Sequence, residues 1–211
     1  MDMIMNIRWK KWLERVGVIL FTIHCSLFIV SCSAEDVTVE EYPNWQAQND
    51  AKTAEWAANS SYRKILTYTQ DETSAVKNSS YIYVEVLETG PGTESPLATD
   101  TVRVAYRGRL LPSTTYSEGY VFDQTYLGDF SWETMGVAPN STVGAFMQGF
   151  ATALLNMHIG DRWRVHIPYA LMYGAASTSS YPSYSNMIFD VALVDYWSAG
   201  ETRPTFRARQ R

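Results

Sequence analysis

The sequence predicts an α+β domain, an antiparallel sheet wrapped on one short helix, with a helical extension ahead of it. Three observations carry this reading. From residue 81 onward, apolar residues recur with a period of two in several short segments separated by turn residues. Among them, "FMQGFATALLNMHIGD" (146–161) has helical spacing, with Phe150, Leu154 and Met157 at i, i+4 and i+7. Residues 43–72 contain no glycine and are rich in Ala, Gln, Glu and Lys, a helix-favouring mixture.

The chain has 211 residues, room for one ordinary domain plus extensions. Residues 1–31 read as a signal segment. Arg8, Lys10, Lys11 and Arg15 make a basic start, and "VGVILFTIHCSLFIV" (16–30) is apolar but short and mixed for a membrane span. The run ends in "IVSC", which resembles a bacterial lipobox, so Cys32 is the expected lipidation site and first residue of the mature chain. Glu35 and Asp36 follow, as in the surface-export signals of Bacteroidetes lipoproteins. The expected location is the cell envelope, at the outer membrane. Cleavage before Cys32 removes four Lys/Arg and two Asp/Glu from totals of 17 and 22, which leaves a net charge of -7. Such a chain has no basic footprint for nucleic acid and no attraction to an anionic bilayer of its own.

Residues 32–42 form a tether and 43–72 the helical extension, with Pro43 suited to a helix start. Trp45 and Trp56 are eleven residues apart, about three turns, and so share a face. That face either docks on the domain or pairs with a second copy. The domain itself spans 78–198, with a tail at 199–211. In "YIYVEVLE" (81–88), Ile82, Val84 and Val86 share a face, and "GPGTESP" (90–96) breaks the chain. "TVRVAYRGRLL" (101–111) sets Val102, Val104 and Tyr106 against Thr101, Arg103 and Arg107. A short strand lies within "SEGYVFDQTY" (117–126), and the helix covers about 148–158, with Gly160 just past its end. "RWRVHI" (162–167) alternates Trp163, Val165 and Ile167 with Arg162, Arg164 and His166. "MIFDVALVDYW" (187–197) closes the domain with Phe189, Val191 and Leu193 on one face. All core motifs lie within 82–197, so the domain is expected to fold without the extension.

Several chemistries lack their residues. Of three histidines, His24 falls in the signal segment, His158 at a helix end and His166 on the polar face of a strand, too few and too scattered for a metal centre. There is no phosphate-binding Gly-Lys-Ser/Thr loop and no G-x-S-x-G elbow. With Cys32 lipidated, the mature chain keeps no free thiol. Neither a metal nor a cofactor is expected. What remains is a set of aromatic and apolar residues at strand ends and turns.

Those residues carry a resemblance. "VAYRG" (104–108), "FDQT" (122–125), "FMQGF" (146–150), "MHIG" (157–160), "IPYALMYG" (167–174), "YPS" (181–183) and "FDVAL" (189–193) follow, in order, the motifs of the FKBP-type peptidyl-prolyl cis-trans isomerases. The resemblance implies a five- or six-stranded antiparallel sheet curled around the short helix. It implies an enzyme that rotates X-Pro bonds in proline-containing polypeptides, here in exported proteins, and a pocket that also takes tacrolimus- or rapamycin-type ligands. The alternative is a slow-turnover holdase using the same pocket. By motif, Tyr106, Phe122, Asp123 and Tyr173 fall on the catalytic positions and Phe146, Met147, Phe150 and Phe189 on the substrate-binding ones. Phe150 stands where the family's floor tryptophan usually sits. Gln124 replaces a usual serine, Tyr181 an isoleucine, and "LPSTTYSEGYV" (111–121) is longer than the usual turn. Phe130 or Trp132 is expected to supply a further wall residue.

Overall fold

The sheet is built almost wholly from the alternating segments. The computed structural model describes residues 40–72, 75–203, 205 and 206. The signal segment, Cys32 and most of the tether lie outside them. The strands are β1 (Arg63–Leu66), β2 (Tyr81–Glu88), β3 (Thr101–Arg109), β4 (Val121–Gln124), β5 (Ser141–Thr142), β6 (Arg162–Ile167) and β7 (Met187–Trp197). They form one seven-stranded sheet in the order β1-β2-β6-β7-β3-β4, with β5 on β3, and every pairing is antiparallel. Among the described residues the two α-helices are α1 (Trp45–Ala58) and α2 (Gln148–Leu154).

The inner face follows the period-two reading. Ile82 and Val84 of β2, Val102 and Val104 of β3, Trp163, Val165 and Ile167 of β6, and Phe189, Val191 and Leu193 of β7 are all buried. They pack with Phe150 and Leu154 of α2 in one core. Val86 departs from this pattern and is 47% exposed. It sits where the β2–β6 pairing slips between Val86 and Glu88. The helix is shorter than its apolar spacing predicts: Met157 is buried, but in the turn after α2. Gly160 does take a left-handed conformation, φ +89°, in the turn into β6, and its N–H donates to Leu193 O. A side chain there would run into the Pro91 ring and Gly90.

The sheet has seven strands against the expected five or six, and two of them fall outside the segments read as strands. One is the two-residue β5, and the other is β1, which lies within the segment read as helix. The helical extension thus covers only 45–58, not 43–72. The break is chemical. In "NSS" (59–61), Asn59 is extended and its Oδ1 accepts the Ser61 N–H at 2.9 Å. Short polar side chains that bond nearby backbone compete with the helix ladder. The freed chain then pairs Arg63–Leu66 with Tyr81–Val84.

The outer face is also covered, which the alternation did not show. Trp45 and Trp56 of α1 are both buried in the main core, so the tryptophan face docks on the domain. Trp56 packs on Tyr83 and His166, with ring centroids 6.2 and 5.0 Å away, and Tyr62 stacks on His166 at 4.8 Å. His166, expected on a solvated polar face, is only 5% exposed. A second cluster on Ala105 and Ala192 takes in Tyr126, Phe130, Trp132 and Met135.

Polar bonds tie α1 to the chain entering β7. The Asn186 N–H donates to Asn49 Oδ1, and Asn186 Nδ2 donates to Asn49 O, both at 2.7 Å. Trp45 Nε1 donates to Ser185 Oγ at 2.8 Å. Asn186 Oδ1 in turn accepts the Tyr169 N–H. Buried asparagines with their groups satisfied hold a unique arrangement. This helix therefore anchors both ends of the 169–186 segment, through Asp50 on the Tyr169 hydroxyl and Asn49 on Asn186.

Candidate functional site

Five separate stretches converge on one cavity. Strand β3 brings Tyr106, β4 brings Phe122 and Asp123, and β7 brings Phe189. The entrance to α2 supplies Phe146, Met147 and Phe150, and the turn at 169–171 delivers Tyr173. All eight residues singled out from the sequence line this cavity of about 230 Å³. Ala145 and Met172 complete the lining and were not anticipated. Met172 sits in "LMYG" beside Tyr173, so its place was readable only through its neighbour.

The floor is a set of rings packed edge to face. Phe150 lies 4.9 Å from Phe189 at 71° and 5.7 Å from Tyr106 at 73°. Phe122 meets Phe189 at 5.6 Å and 85°, and Phe146 leans on Phe150 at 5.1 Å. Edge-to-face pairs put the positive rim of one ring on the negative face of the next, which fixes their angles. Gly108 makes this possible. It pairs with Phe189 on one side and Asp123 on the other, and a Cβ there would come within 2.7 Å of both the Phe122 and Phe189 rings. Gly149 does the same for the helix, since a Cβ would lie 2.2 Å from Ile167.

Two polar groups reach the rim. The Tyr106 hydroxyl donates to Asp123 Oδ2 at 2.5 Å. Burial, then this bond and the carboxylate charge, hold the Tyr106 phenol well above the usual tyrosine range. Tyr173 is 40% exposed, and burial followed by the neighbouring Tyr181 raises its phenol too. Both phenols therefore stay protonated at neutral pH and act as hydrogen-bond donors, not as bases. Thr125 fixes the backbone behind them: its N–H donates to Tyr106 O, and its hydroxyl accepts the Tyr106 N–H.

Phe130 and Trp132, expected at the wall, lie elsewhere. They pack in the second cluster, with Phe130 against Tyr126 and under the Arg162 guanidinium, and Trp132 Nε1 donates to Glu88.

The FKBP-type peptidyl-prolyl cis-trans isomerase profile matches residues 92–194, the stretch that holds the whole cavity. A peptidyl-prolyl cis-trans isomerase of Saccharomyces cerevisiae, FPR2, is 33% identical over 101 residues, 47% of this chain and 67% of the relative. The chain belongs to the FKBP-type peptidyl-prolyl cis-trans isomerase family. It is also similar to the macrophage infectivity potentiator of Trypanosoma cruzi, 32% identical over 130 residues, 61% of this chain and 60% of that one. FkpA of Escherichia coli K12 is 31% identical over 149 residues, 71% of this chain and 47% of FkpA. The chain thus spans between about half and two thirds of the length of these curated relatives. The crystal structure of FkpA from Escherichia coli aligns with a TM-score of 0.54 over 94% of this chain and 74% of that one, at 20% identity, a likeness of fold.

Within this FKBP-type domain, the departures from the family pattern have visible partners. Gln124 accepts a bond from Arg107 Nε at 2.9 Å. Tyr181 stacks on Tyr173 at 4.9 Å and meets the Phe122 ring at 6.0 Å. It adds an aromatic buttress outside the cavity, where an isoleucine would pack less broadly. Phe150 gives a floor smaller than a tryptophan would, and Phe146 fills in beside it.

Proposed function

We propose that this chain catalyses cis–trans rotation of X-Pro bonds in exported polypeptides. The observation that carries the reading is the convergence of Tyr106, Phe122, Phe150, Tyr173 and Phe189 on one apolar socket beside a protonated phenol pair. Amide resonance sets a rotational barrier of about 18–20 kcal/mol. Twisting the bond breaks that resonance and makes the amide less polar than in either planar form. A water-poor aromatic socket therefore stabilises the twisted state more than the planar ones, which is catalysis by differential binding. No nucleophile, proton transfer or metal is required. Phe150 and Phe189 hold the prolyl ring, Phe146 and Met147 close its entrance, and Phe122 packs the side. The Tyr173 hydroxyl donates to a substrate carbonyl, and Asp123 orients Tyr106 at the rim. The same socket is the seat for a tacrolimus- or rapamycin-type macrolide.

Uncatalysed exchange takes tens to hundreds of seconds, so even a modest acceleration is measurable. The test is a protease-coupled assay of the purified protein on a Phe-Pro peptide. Turnover above the spontaneous rate, inhibited by tacrolimus, is the expected result. Suppression of aggregation without turnover would instead favour a peptide-holding chaperone. The same proposal includes export through the segment at 1–31 and a lipid anchor on Cys32, supported by the lipobox-like "IVSC" after an apolar run.

A further inference from the structure

Beside the socket lies a second, larger depression of about 490 Å³. One wall is the long insertion, through Tyr116 and Tyr120, whose rings meet edge to face at 5.0 Å. The opposite wall is the loop Thr178–Pro182, and the base is Glu41 and Tyr42. Its volume lies within the range of ligand pockets, about 300–1,000 Å³.

The cleft is a built feature and not a gap between loose loops. Glu41 accepts the Thr115 N–H at 3.0 Å and the hydroxyls of Ser113 and Thr115, which pins the insertion to the last residues of the tether. These hydroxyl bonds, chiefly that of Ser113, hold the Glu41 carboxyl below its ordinary range, so the clamp stays charged. The N–H groups of Ser113 and Gly119 both donate to Tyr116 O at 3.0 Å, closing the insertion on itself. Tyr42 packs edge to face on Trp45 at 4.7 Å, so the base is tied to α1. Across the cleft, the Thr178 N–H donates to Tyr181 O and the Ser180 N–H to Thr178 Oγ1.

The two depressions share a wall. Tyr181 lines the cleft and also packs on Tyr173 and Phe122 of the socket. Tyr181 thus gives a chain held in the socket a continuous aromatic surface toward the cleft. We infer that the tyrosine cleft is an extended subsite for the residues flanking the bound proline, formed by the 111–121 insertion, which makes this chain prefer long unfolded polypeptides over short X-Pro peptides. The inference rests on the proline reading of the socket. The lining fits that occupant. Tyrosine presents an apolar ring face and a polar tip at low conformational cost. Ring faces take aromatic, aliphatic or prolyl side chains, and the hydroxyls of Thr178, Ser179 and Ser180 face a peptide backbone that carries one donor and one acceptor per residue. Glu41 keeps its charge at the base, so the cleft recognises an extended segment without acidic residues.

The experiment compares a tetrapeptide with a twelve-residue peptide that shares its Phe-Pro core and carries tyrosine and leucine on both flanks. Affinity for the long peptide and turnover of both are measured on the parent, on Tyr116→Ala and on Ser179→Trp. Tyr116 is 41% exposed and is not among the residues lining the socket, and Ser179→Trp fills the cleft from the opposite rim. The expected result is long-peptide affinity about fivefold or more weaker in both variants, through the loss of one aromatic contact in Tyr116→Ala and the filled cleft in Ser179→Trp, with tetrapeptide turnover within twofold of the parent. Equal long-peptide affinity in parent and variants overturns the subsite. A parent that binds the long peptide but turns over neither substrate sinks the isomerase reading instead, and the affinity comparison still decides the cleft.

Discussion

The Tyr106 hydroxyl lies 2.5 Å from Asp123 Oδ2, a bond made across adjacent strands at the rim of the aromatic socket. Asp123 is exposed and Tyr106 half-buried, so the pair is anchored from the inside by the phenol ring. Charge-assisted bonds of this kind contribute about 1.5–3 kcal/mol at most, less when one partner is solvated. Tyr106→Phe and Asp123→Asn should each lower kcat/KM several-fold. The double variant should be little worse than either single one, because both remove one interaction. Fully additive losses would mean that the two residues act separately.

Phe150 and Tyr173 have different duties in one site. Phe150 is buried against Phe189, Tyr106 and Phe146. Phe150→Ala should lose turnover and about 3–5 kcal/mol of stability together. Tyr173→Phe keeps the ring and removes one hydroxyl, a change of about 0.5–1.5 kcal/mol. It should leave the melting temperature nearly unchanged while kcat/KM drops several-fold. A Tyr173→Phe protein that loses stability but keeps full activity would make the hydroxyl a packing feature only.

The helix α1 is expected to matter for both folding and the site. Trp56→Ala should cost about 3–5 kcal/mol, as for other large buried rings. Asn49→Ala leaves the Asn186 N–H without its 2.7 Å partner, at a cost of about 1–3 kcal/mol. Since Asn186 also holds Tyr169, the wall that carries Tyr173 should loosen. Thermal melts and hydrogen exchange of 169–186 check this, and unchanged protection there would separate the helix from the site.

His166 sets a pH limit on stability. Burial, then the charges of Arg164 and Arg109, depress its imidazole to about 4, below the ordinary 6.5. Asp190 opposes the shift and Lys52 adds to it slightly. The unfolded chain thus binds a proton between pH 6.5 and 4 that the folded chain refuses, and stability falls as pH falls through that window. The full effect is on the order of 3 kcal/mol. His166→Phe keeps a ring between Trp56 and Tyr62 and removes the titration, so it should flatten the fall in melting temperature from pH 7 to pH 4.5. A variant with the parent's full acid sensitivity would move the cause elsewhere.

Cys32→Ser tests the anchor. The variant should leave the membrane fraction or keep its unprocessed signal segment, and should no longer incorporate labelled fatty acid. Stable tethering takes more than one acyl chain, so partial release is not the expected outcome. Parent-like fractionation and processing would refute the role given to Cys32.

Much of this protein was legible along the chain because period-two patterning and motif spacing are local. The faces of β3, β6 and β7, the short helix and eight of the ten cavity residues follow from residues a few positions apart, plus the order of seven motifs. What the chain alone did not decide concerns surfaces that meet over long separations. The outer face of the sheet reads as polar at His166, yet Trp56 covers it from more than a hundred residues away. Strand β1 hides in a helix-favouring segment because its pairing partner β2, not its propensity, makes it a strand. Phe130 and Trp132 sit near the socket in sequence but turn to the opposite face, where Ala105 and Ala192 leave room for large rings. Glu41 and the 111–121 insertion carry no visible relation until folding joins them by hydrogen bonds that shape the cleft. Periodicity tells which face of an element is apolar; only the assembled chain determines what covers each face, because burial is a property of neighbours.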